Sequence, residues 1–447
     1  MKKRLYISAV ALAVCFGSQA QNVREWTLEE CIDYAIENNI NLKQRELEQK
    51  NREIELNTNK NAWLPNLNMN AGHNFDFGRS PSKTGVIVDQ NSTNTSASLQ
   101  LSMPLFDGFR IINNIAAGKL NFNVATENLN KAKEDLSVNV ASLYLQVLYN
   151  KELLKIAEMQ LNLTTEQISR TDELVKTGRV PLSQLYDIKA QQAKDEVVVV
   201  ESRNSLSLSM LDLTQALELE EREDAFDIEE PEVGDVVEMY MNSILPPANI
   251  YDNAVAFKPQ IKAQEYQLES QKKMLKVAQS AYYPMINLNA SYSNGYYRYS
   301  GNNATNIGFG DQIRQNERKT IGFSLSIPIF NRFQTRNNVR SARVGIRNQE
   351  LMMDNVKKAL YKEIQQAYFS ATAAQKKYMS SKKAVDAGNE AYSYAEERYK
   401  AGKSSVFEYD NAKAKYTQSL SEQLRAKYEF IFRAKILDFY NGIPIKL

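Results

Sequence analysis

The stretch Asn66–Phe77 reads NLNMNAGHNFDF. Leu67, Met69, Ala71, Phe75 and Phe77 hold the odd places, and Asn66, Asn68, Asn70, Asn74 and Asp76 hold the even ones. A period of two puts these sets on opposite faces of a β-strand. Three further stretches repeat the pattern. Ala97, Leu99, Leu101, Met103 and Leu105 oppose Ser96, Ser98, Gln100 and Ser102. Ile286, Leu288, Ala290 and Tyr292 oppose Asn287, Asn289, Ser291 and Ser293. Ile321, Phe323, Leu325, Ile327 and Ile329 oppose Thr320, Gly322, Ser324 and Ser326. The wet face of an ordinary antiparallel sheet normally carries Lys and Glu. Here it is almost wholly Asn, Ser, Gln and Thr. That composition points to a membrane barrel, with Leu325 and Ile327 toward lipid and Ser324 and Ser326 toward a water-filled lumen. Strands of about ten residues suit a tilted crossing of the hydrocarbon layer. Tyr292, Tyr296, Tyr297 and Tyr299 are candidates for an interfacial aromatic girdle.

Four strands do not close a membrane barrel, which needs at least about eight. Open edges in lipid leave backbone groups unpaired at high cost. The barrel is therefore shared between chains. Two copies would supply eight strands and three would supply twelve.

The chain also repeats itself. Ala62–Ala71 matches Ala281–Ala290, and Leu101-Ser102-Met103-Pro104-Leu105-Phe106 matches Leu325-Ser326-Ile327-Pro328-Ile329-Phe330. Leu174–Gly178 matches Arg398–Gly402, and Tyr186-Asp187 matches Tyr409-Asp410. Each copy reads helix, strand, loop, strand, long helix, turn, helix. Repeat one covers residues 21–220 and repeat two 251–447. The stretch 221–250 between them begins in an acidic, Pro231- and Gly234-containing segment that reads as a solvated linker.

Arg110–Lys176 contains no proline and one glycine, Gly118. At about 1.5 Å of rise per residue such a helix spans about 100 Å. Val140, Val147, Leu154, Leu161, Ile168 and Val175 recur every seven places, as do Ile364, Ala371, Tyr378, Val385, Tyr392 and Tyr399. That spacing is a coiled-coil seam. Gly178 and Gly402 stand where each long helix ends, as C-cap glycines, and Pro181 stops the first from continuing. Both turns therefore lie at the far end from the strands.

Composition narrows the function. Lys and Arg number 55 against 53 Asp and Glu, a net charge of +2, so overall charge does not suggest a nucleic-acid partner. Mean hydropathy is −0.48, unlike a helical membrane protein. Lys2, Lys3 and Arg4 precede an apolar run from Leu5 to Phe16 and a small-residue end at Ala20, a secretory signal peptide over residues 1–20. Lipidation at Cys15 is the competing reading, but bulky Val14 stands where a small residue is wanted. Past that segment only Cys31 and a single histidine, His73, remain. They leave no intrachain disulfide, no clustered His/Cys metal site and no His-dependent triad; no cofactor motif is present. Thr27–Glu30 reads as a capping box, after which Leu28, Cys31, Ile32 and Ala35 follow helical spacing, so Cys31 is a buried apolar position.

The ordered set of duplicated units, Pro-led strands, strand ends at Met103–Gly108 and Ile327–Asn331, and two glycine tips resembles the TolC-type outer-membrane efflux channels. The resemblance runs from Trp26–Ala35 to Asn441-Gly442. It implies a mixed α+β membrane protein: a long α-helical coiled-coil barrel in the periplasm, joined to a 12-stranded antiparallel β-barrel in the outer membrane of a Gram-negative bacterium. Four strands per chain imply a homotrimer. Asn66, Asn68, Asn70, Ser98, Gln100, Asn287, Asn289, Ser324 and Ser326 would line the barrel lumen.

The resemblance implies function as well: a non-enzymatic exit duct of a tripartite efflux or type I secretion system, partnered by a periplasmic adaptor and an inner-membrane pump. Acidic residues ring the closed mouth of such channels. Those positions fall on Glu408 and on Asn411, with Asp410 adjacent to the second. A tyrosine that holds the mouth shut corresponds to Tyr399, its basic companion position to Ser404 with Lys403 one place earlier, and the acidic counterpart in repeat one to Gln184. The tips Gly178, Arg179, Val180, Pro181, Gly402, Lys403 and Ser404 would dock the adaptor. Two other classes compete. A surface coiled-coil structural or adhesive protein explains the heptads but not two strand pairs with uncharged polar faces. A carbohydrate-active enzyme needs paired carboxylates in a cleft, and Glu408 and Asp410 lie in a turn-to-helix segment without one.

Overall fold

A computed structural model describes residues 24–81, 85–219, 226–231, 234–241, 245–300 and 306–446. The segment read as a signal peptide, Cys15 included, lies outside the described residues. The elements begin with β1 (Arg24–Trp26), α1 (Leu28–Asn38), α2 (Ile40–Asn61), β2 (Asn66–Asp76), β3 (Arg79–Pro81), β4 (Ile87–Asp89) and β5 (Asn91–Phe106). There follow α3 (Arg110–Lys176), α4 (Leu182–Leu217), β6 (Phe226–Ile228), α5 (Gly234–Tyr240), α6 (Pro247–Phe257) and α7 (Pro259–Ser280). The chain ends with β7 (Met285–Ser300), α8 (Phe309–Gln315), β8 (Arg318–Ser326), α9 (Gln334–Lys400) and α10 (Val406–Tyr440). Two compact units emerge: one of Asn41–Glu134 with Pro247–Gln365, the other of the residues up to Ile40, Asp135–Pro246 and Gln366–Leu447.

The first unit carries a four-stranded sheet in the order β2-β5-β7-β8, antiparallel throughout. Its register turns the alternation of each strand into continuous rows. Asn68, Gln100, Ser291 and Thr320 stand side by side, as do Asn66, Ser102, Asn289 and Gly322. The neighbouring rows are Leu67, Leu101, Ala290 and Ile321, then Met103, Leu288 and Phe323. Among the described residues the apolar face does not pack on a core: Met69 is 73% exposed, Phe323 73% and Ile321 79%, and β2 is exposed along its whole length. No described helix is long and apolar enough to cross a membrane.

Three details of the strand reading change. A bulge between Pro104 and Phe106 leaves Leu105 out of register and puts Phe106 opposite Ile286 on the apolar face. β8 ends at Ser326, so Ile327 and Ile329 lie beyond the ladder. The tyrosines do not form one girdle. Tyr292 and Tyr296 share the apolar face with Leu99 and Thr95, whereas Tyr297 and Tyr299 pair with Asn94 and Ser92 on the other face. Strict alternation of the strand forces this split.

Where β8 stops opposite Ser293, side-chain amides take over the edge of β7. The Tyr297 N–H donates to Gln312 Oε1 at 2.9 Å and its carbonyl accepts from Gln312 Nε2 at 2.7 Å. Asn306 does the same for Tyr299, at 2.8 Å in both directions. Each amide stands in for a strand partner and closes an otherwise open edge. Around the sheet's base the helices of this unit are tied by polar pairs, Gln49 to Thr126, Ser270 to Asn121 and Gln349 to Gln264, each at 2.7 Å. Gly108, with φ +69°, fits here because an added Cβ would stand 2.5 Å from the Ser280 carbonyl oxygen.

The second unit is helical around one core that includes Leu28, Cys31, Ala35, Tyr144, Leu148, Leu213 and Phe430. The capping box forms: Glu30 N–H donates to Thr27 Oγ1, and Thr27 N–H to the Glu30 carboxylate, both at 3.1 Å. Within the stretch expected to be a solvated linker, Phe226–Ile228 instead pairs in parallel with Arg24–Trp26. Phe226 and Ile228 alternate inward and are buried, and Lys151 meets Asp227 at 2.5 Å. Acidic composition hid a two-sided strand whose even-numbered residues, Phe226 and Ile228, serve the core.

Two consequences are measurable. Tyr144 is 1% exposed, and its hydroxyl donates toward both Trp26 O (3.1 Å) and Glu229 O (2.8 Å). Tyr144→Phe should therefore lower stability by about 1–3 kcal/mol in thermal or denaturant unfolding. Burial pushes the Cys31 thiol up to about 12. Its thiolate is absent at neutral pH, so peptide mapping should find Cys31 unmodified by a maleimide until the chain is unfolded.

Candidate functional site

Each long helix ends in the same local geometry. Gly178 has φ +73° and Gly402 φ +70°, a left-handed conformation suited to glycine. Arg179 N–H reaches back to Leu174 O and Gly178 N–H to Val175 O, both at 2.9 Å. Lys403 N–H reaches Arg398 O at 2.8 Å and Gly402 N–H reaches Tyr399 O at 3.0 Å. These paired bonds terminate a helix and turn the chain sharply. The two turns border one cleft of about 700 Å³, lined by Arg170, Arg179, Gln184, Tyr399 and Ser404 among others. Val180 is half-buried there, while Arg179, Pro181, Gly402 and Lys403 are exposed.

The residues expected at the mouth are brought together in part. Gln184 Nε2 lies 3.5 Å from the Tyr399 hydroxyl. Tyr399 stacks on Tyr409 at 4.9 Å between ring centroids, and Tyr409 meets the Tyr392 hydroxyl at 3.2 Å. Tyr392 in turn stacks on Tyr416 at 5.6 Å. A tyrosine ladder thus ties α9 to α10 behind the tip. Tyr409 is buried, whereas its repeat counterpart Tyr186 is 62% exposed.

Glu408 sits in the first turn of α10, where its N–H donates to the cap residue Ser405 at 3.2 Å. Its exposed carboxylate accepts from Ser404 Oγ at 2.8 Å, and Arg398 comes within 3.9 Å. The basic residue beside Glu408 is Arg398, in the last turn of α9; exposed as it is, this pair adds little stability. Asn411 is exposed and Asp410 half-buried, and burial raises the Asp410 carboxyl above the usual carboxylate range.

Sequence reasoning missed what lies behind the tips. Asn150, Ala157, Thr164 and Thr171 form a second seven-residue track of α3, buried beside the seam at Val147. Thr164 donates to Asp195 Oδ2 at 2.5 Å and accepts from Lys413 Nζ at 2.9 Å. Gln191 completes the Asp195 shell at 2.8 Å. Lys413 is 3% exposed. Polar residues on a charged helix look solvated in the sequence; only the heptad offset from Gly178 back through Thr171 and Thr164 marks them as inward.

The nine expected lumen residues share one face. Asn70 pairs with Ser98, Asn68 with Gln100, Asn66 with Ser102, Asn287 with Ser324 and Met285 with Ser326. Hydrogen bonds run across this face, Ser102 Oγ to Asn289 at 3.2 Å and Asn289 Nδ2 to Ser324 at 3.0 Å. Opposite, the apolar rows from Ile286–Leu325 to Ala97–Asn294 cover about 26 Å along the strands before tilt is taken out.

The buried lysine generates a test. Burial holds the Lys413 ammonium below its ordinary 10.5, so the folded chain binds this proton less tightly than the unfolded chain. Stability from this group therefore rises as pH climbs from the folded value toward 10.5. Lys413→Met should flatten that alkaline rise and, by removing the donor to Thr164 and the positive charge acting on Asp195 and Asp410, cost about 1–3 kcal/mol near neutrality. Adding Asp195→Leu should recover most of the loss; melting curves across pH check both.

The family model described as outer membrane efflux protein matches residues 31–218 and 250–434. The outer membrane efflux protein BepC of Brucella suis is 22% identical over 365 residues, covering 79% of this chain and 71% of BepC. The outer membrane protein TolC of Escherichia coli is 21% identical over 394 residues, covering 84% and 74%. Among solved structures, CusC superposes with a TM-score of 0.77 at 16% identity, covering 94% of this chain and 92% of that one. The Campylobacter jejuni CmeC outer membrane channel gives 0.71 at 18% identity, covering 93% and 86%. The chain belongs to the outer membrane efflux protein family, whose members are transport ducts and not enzymes.

Proposed function

We propose that three copies of this chain form the outer-membrane exit duct of a tripartite efflux or type I secretion system. The observation that carries the reading is the open four-stranded sheet. Apart from Arg298 and Lys319 one face is mainly apolar, and apart from Asp76 and Arg318 the other is uncharged; both are exposed, and β2 and β8 have no strand neighbour on their outer sides among the described residues. In lipid such edges must be paired. The strands alternate in direction, so β8 of one copy is antiparallel to β2 of the next when copies are related by rotation about the membrane normal. Three copies then close a 12-stranded barrel with the asparagine and serine rows inside.

In this reading the helices, with their polar seam contacts, form a periplasmic tunnel, and the two-fold sequence repeat supplies neighbouring helical hairpins of like shape. Residues 21–220 and 251–447 are the repeats, preceded by a cleaved segment 1–20. The tips at Gly178–Pro181 and Gly402–Ser404 dock a periplasmic adaptor, which connects to an inner-membrane pump. Glu408 recurs three times around the mouth and favours cations there. The Gln184–Tyr399 contact joins the two tips of one copy and the tyrosine ladder braces α9 against α10 behind the second, which supports a closed resting mouth.

Purified chain in a planar bilayer should conduct, and native mass spectrometry should find a trimer; a stable conducting monomer refutes the shared barrel. Cysteines at Ser324 and Leu325, in a Cys31-free background, should label unequally with a membrane-impermeant thiol reagent, Ser324 first. Equal labelling counts against the barrel. Glu408→Gln should reduce cation selectivity, read as a reversal potential moved toward zero in a salt gradient, with trimer stability unchanged. Tyr399→Phe should raise resting conductance.

A further inference from the structure

The base of the sheet, where strands give way to helices, holds a cavity of about 830 Å³ within the strand-bearing unit. Its wall from α9 is cationic. Arg336, Arg340 and Arg343 lie at helical spacing on one stripe, and Lys276 of α7 faces the same space. All three arginines are exposed, and none of the four cations has an ion-pair partner among the described residues. Some surface arginines elsewhere in this unit do have partners, as Arg347 has Glu350 at 2.8 Å and Arg52 has Glu55 at 2.8 Å, but those lie singly and not on one concavity. Four unpaired cations converging on one concavity repel one another and favour an anion between them.

The other wall is aromatic and fixes which side of the sheet the cavity faces. Phe106 shares a row with Ile286 and Leu325 on the apolar face. Phe109 lines the cavity and meets Phe106 edge-on at 5.3 Å and Tyr283 at 6.1 Å. The cavity therefore opens on the apolar side of the sheet. At the matching turn of the second strand pair, Ile329 is 95% exposed and Phe330 71%, and Arg336 sits 5.8 Å over the Phe333 ring. Cations beside exposed aromatic and aliphatic side chains, at the depth where a membrane strand ends, match the chemistry of a lipid headgroup over its acyl chains.

We propose that this cavity binds the headgroup of an anionic phospholipid, its phosphodiester held by Arg336, Arg340, Arg343 and Lys276, and its acyl chains lying over Phe109 and the exposed Ile329 and Phe330. The assignment rests on the barrel orientation proposed above, which puts the apolar face in lipid. A net-negative headgroup is preferred over a zwitterionic one because a choline ammonium would meet four cations. One such site per chain would moor the base of each strand set to the periplasmic leaflet.

The test uses the full chain in detergent, with lipid added back in mixed micelles and bound lipid counted by native mass spectrometry. Phosphatidylglycerol should be retained about tenfold over phosphatidylcholine. The triple variant Arg336→Gln, Arg340→Gln, Arg343→Gln should lose the preference, and the corresponding triple lysine variant should keep it. Equal retention of both lipids by the wild-type chain, or an undiminished preference in the glutamine variant, overturns the proposal. Displacement of phosphatidylglycerol by equimolar inorganic phosphate would identify a free-phosphate site and overturn the lipid assignment. The same preparations go into planar bilayers. Channels that conduct without a lipid preference reject this site and leave the barrel standing, whereas preparations that never conduct reject the barrel orientation and the site with it.

Discussion

Unpaired backbone at the two edges of one sheet governs everything else in this molecule. β2 and β8 each present a row of N–H and C=O groups with no strand beside them. In water such edges invite aggregation, and in hydrocarbon each unpaired group costs several kcal/mol. The chain does manage edges locally where it can: Gln312 and Asn306 spend their amides on the upper part of β7. Nothing comparable covers β2 or β8 among the described residues. In the proposed duct, a sheet with two faces exposed and two edges bare is one third of a barrel that two further copies related by rotation complete.

The helices answer a different constraint. They stand in water on the outside and, in the proposed duct, on the inside as well, so their seams combine small apolar residues with hydrogen-bonded polar ones. Val140, Val147, Ile364 and Ala371 are fully or almost fully buried, yet the neighbouring track holds Asn150, Thr164 and Thr171. Near the tips apolar burial thins out and tyrosine stacking and the Thr164–Asp195–Lys413 chain take its place. Buried polar chains of this kind favour one register over its neighbours and come apart more readily than an apolar seam. In the proposed duct, a mouth that opens is better held by such contacts than by a leucine core.

Much of this was legible in the sequence because period decides face. The alternation of Asn66–Phe77 and its three companions placed every expected lumen residue on one side, and the glycine positions marked both turns. The misreadings share a cause: composition was used where geometry rules. Tyr292 and Tyr297 look alike in a tyrosine-rich stretch, but an odd separation puts them on opposite faces. The acidic stretch around Asp227 hid two inward apolar residues, and the bulge at Leu105 shifts a face in a way that no propensity signals. At the tips, Tyr399, Gln184 and Glu408 came from resemblance; their companions Arg398, Ser405 and Tyr409 did not, since helix-to-helix contacts across a turn have no sequence period.

Amide hydrogen exchange on the lipid-embedded protein tests the shared sheet most directly. If copies pair edge to edge, the outward-pointing N–H groups of Asn66–Asp76 and Arg318–Ser326 will be as protected as those of the central strands Asn91–Phe106 and Met285–Ser300. Fast exchange at alternate residues of the two edge strands, beside slow exchange in the central pair, would mean that the edges are open and that no barrel is shared.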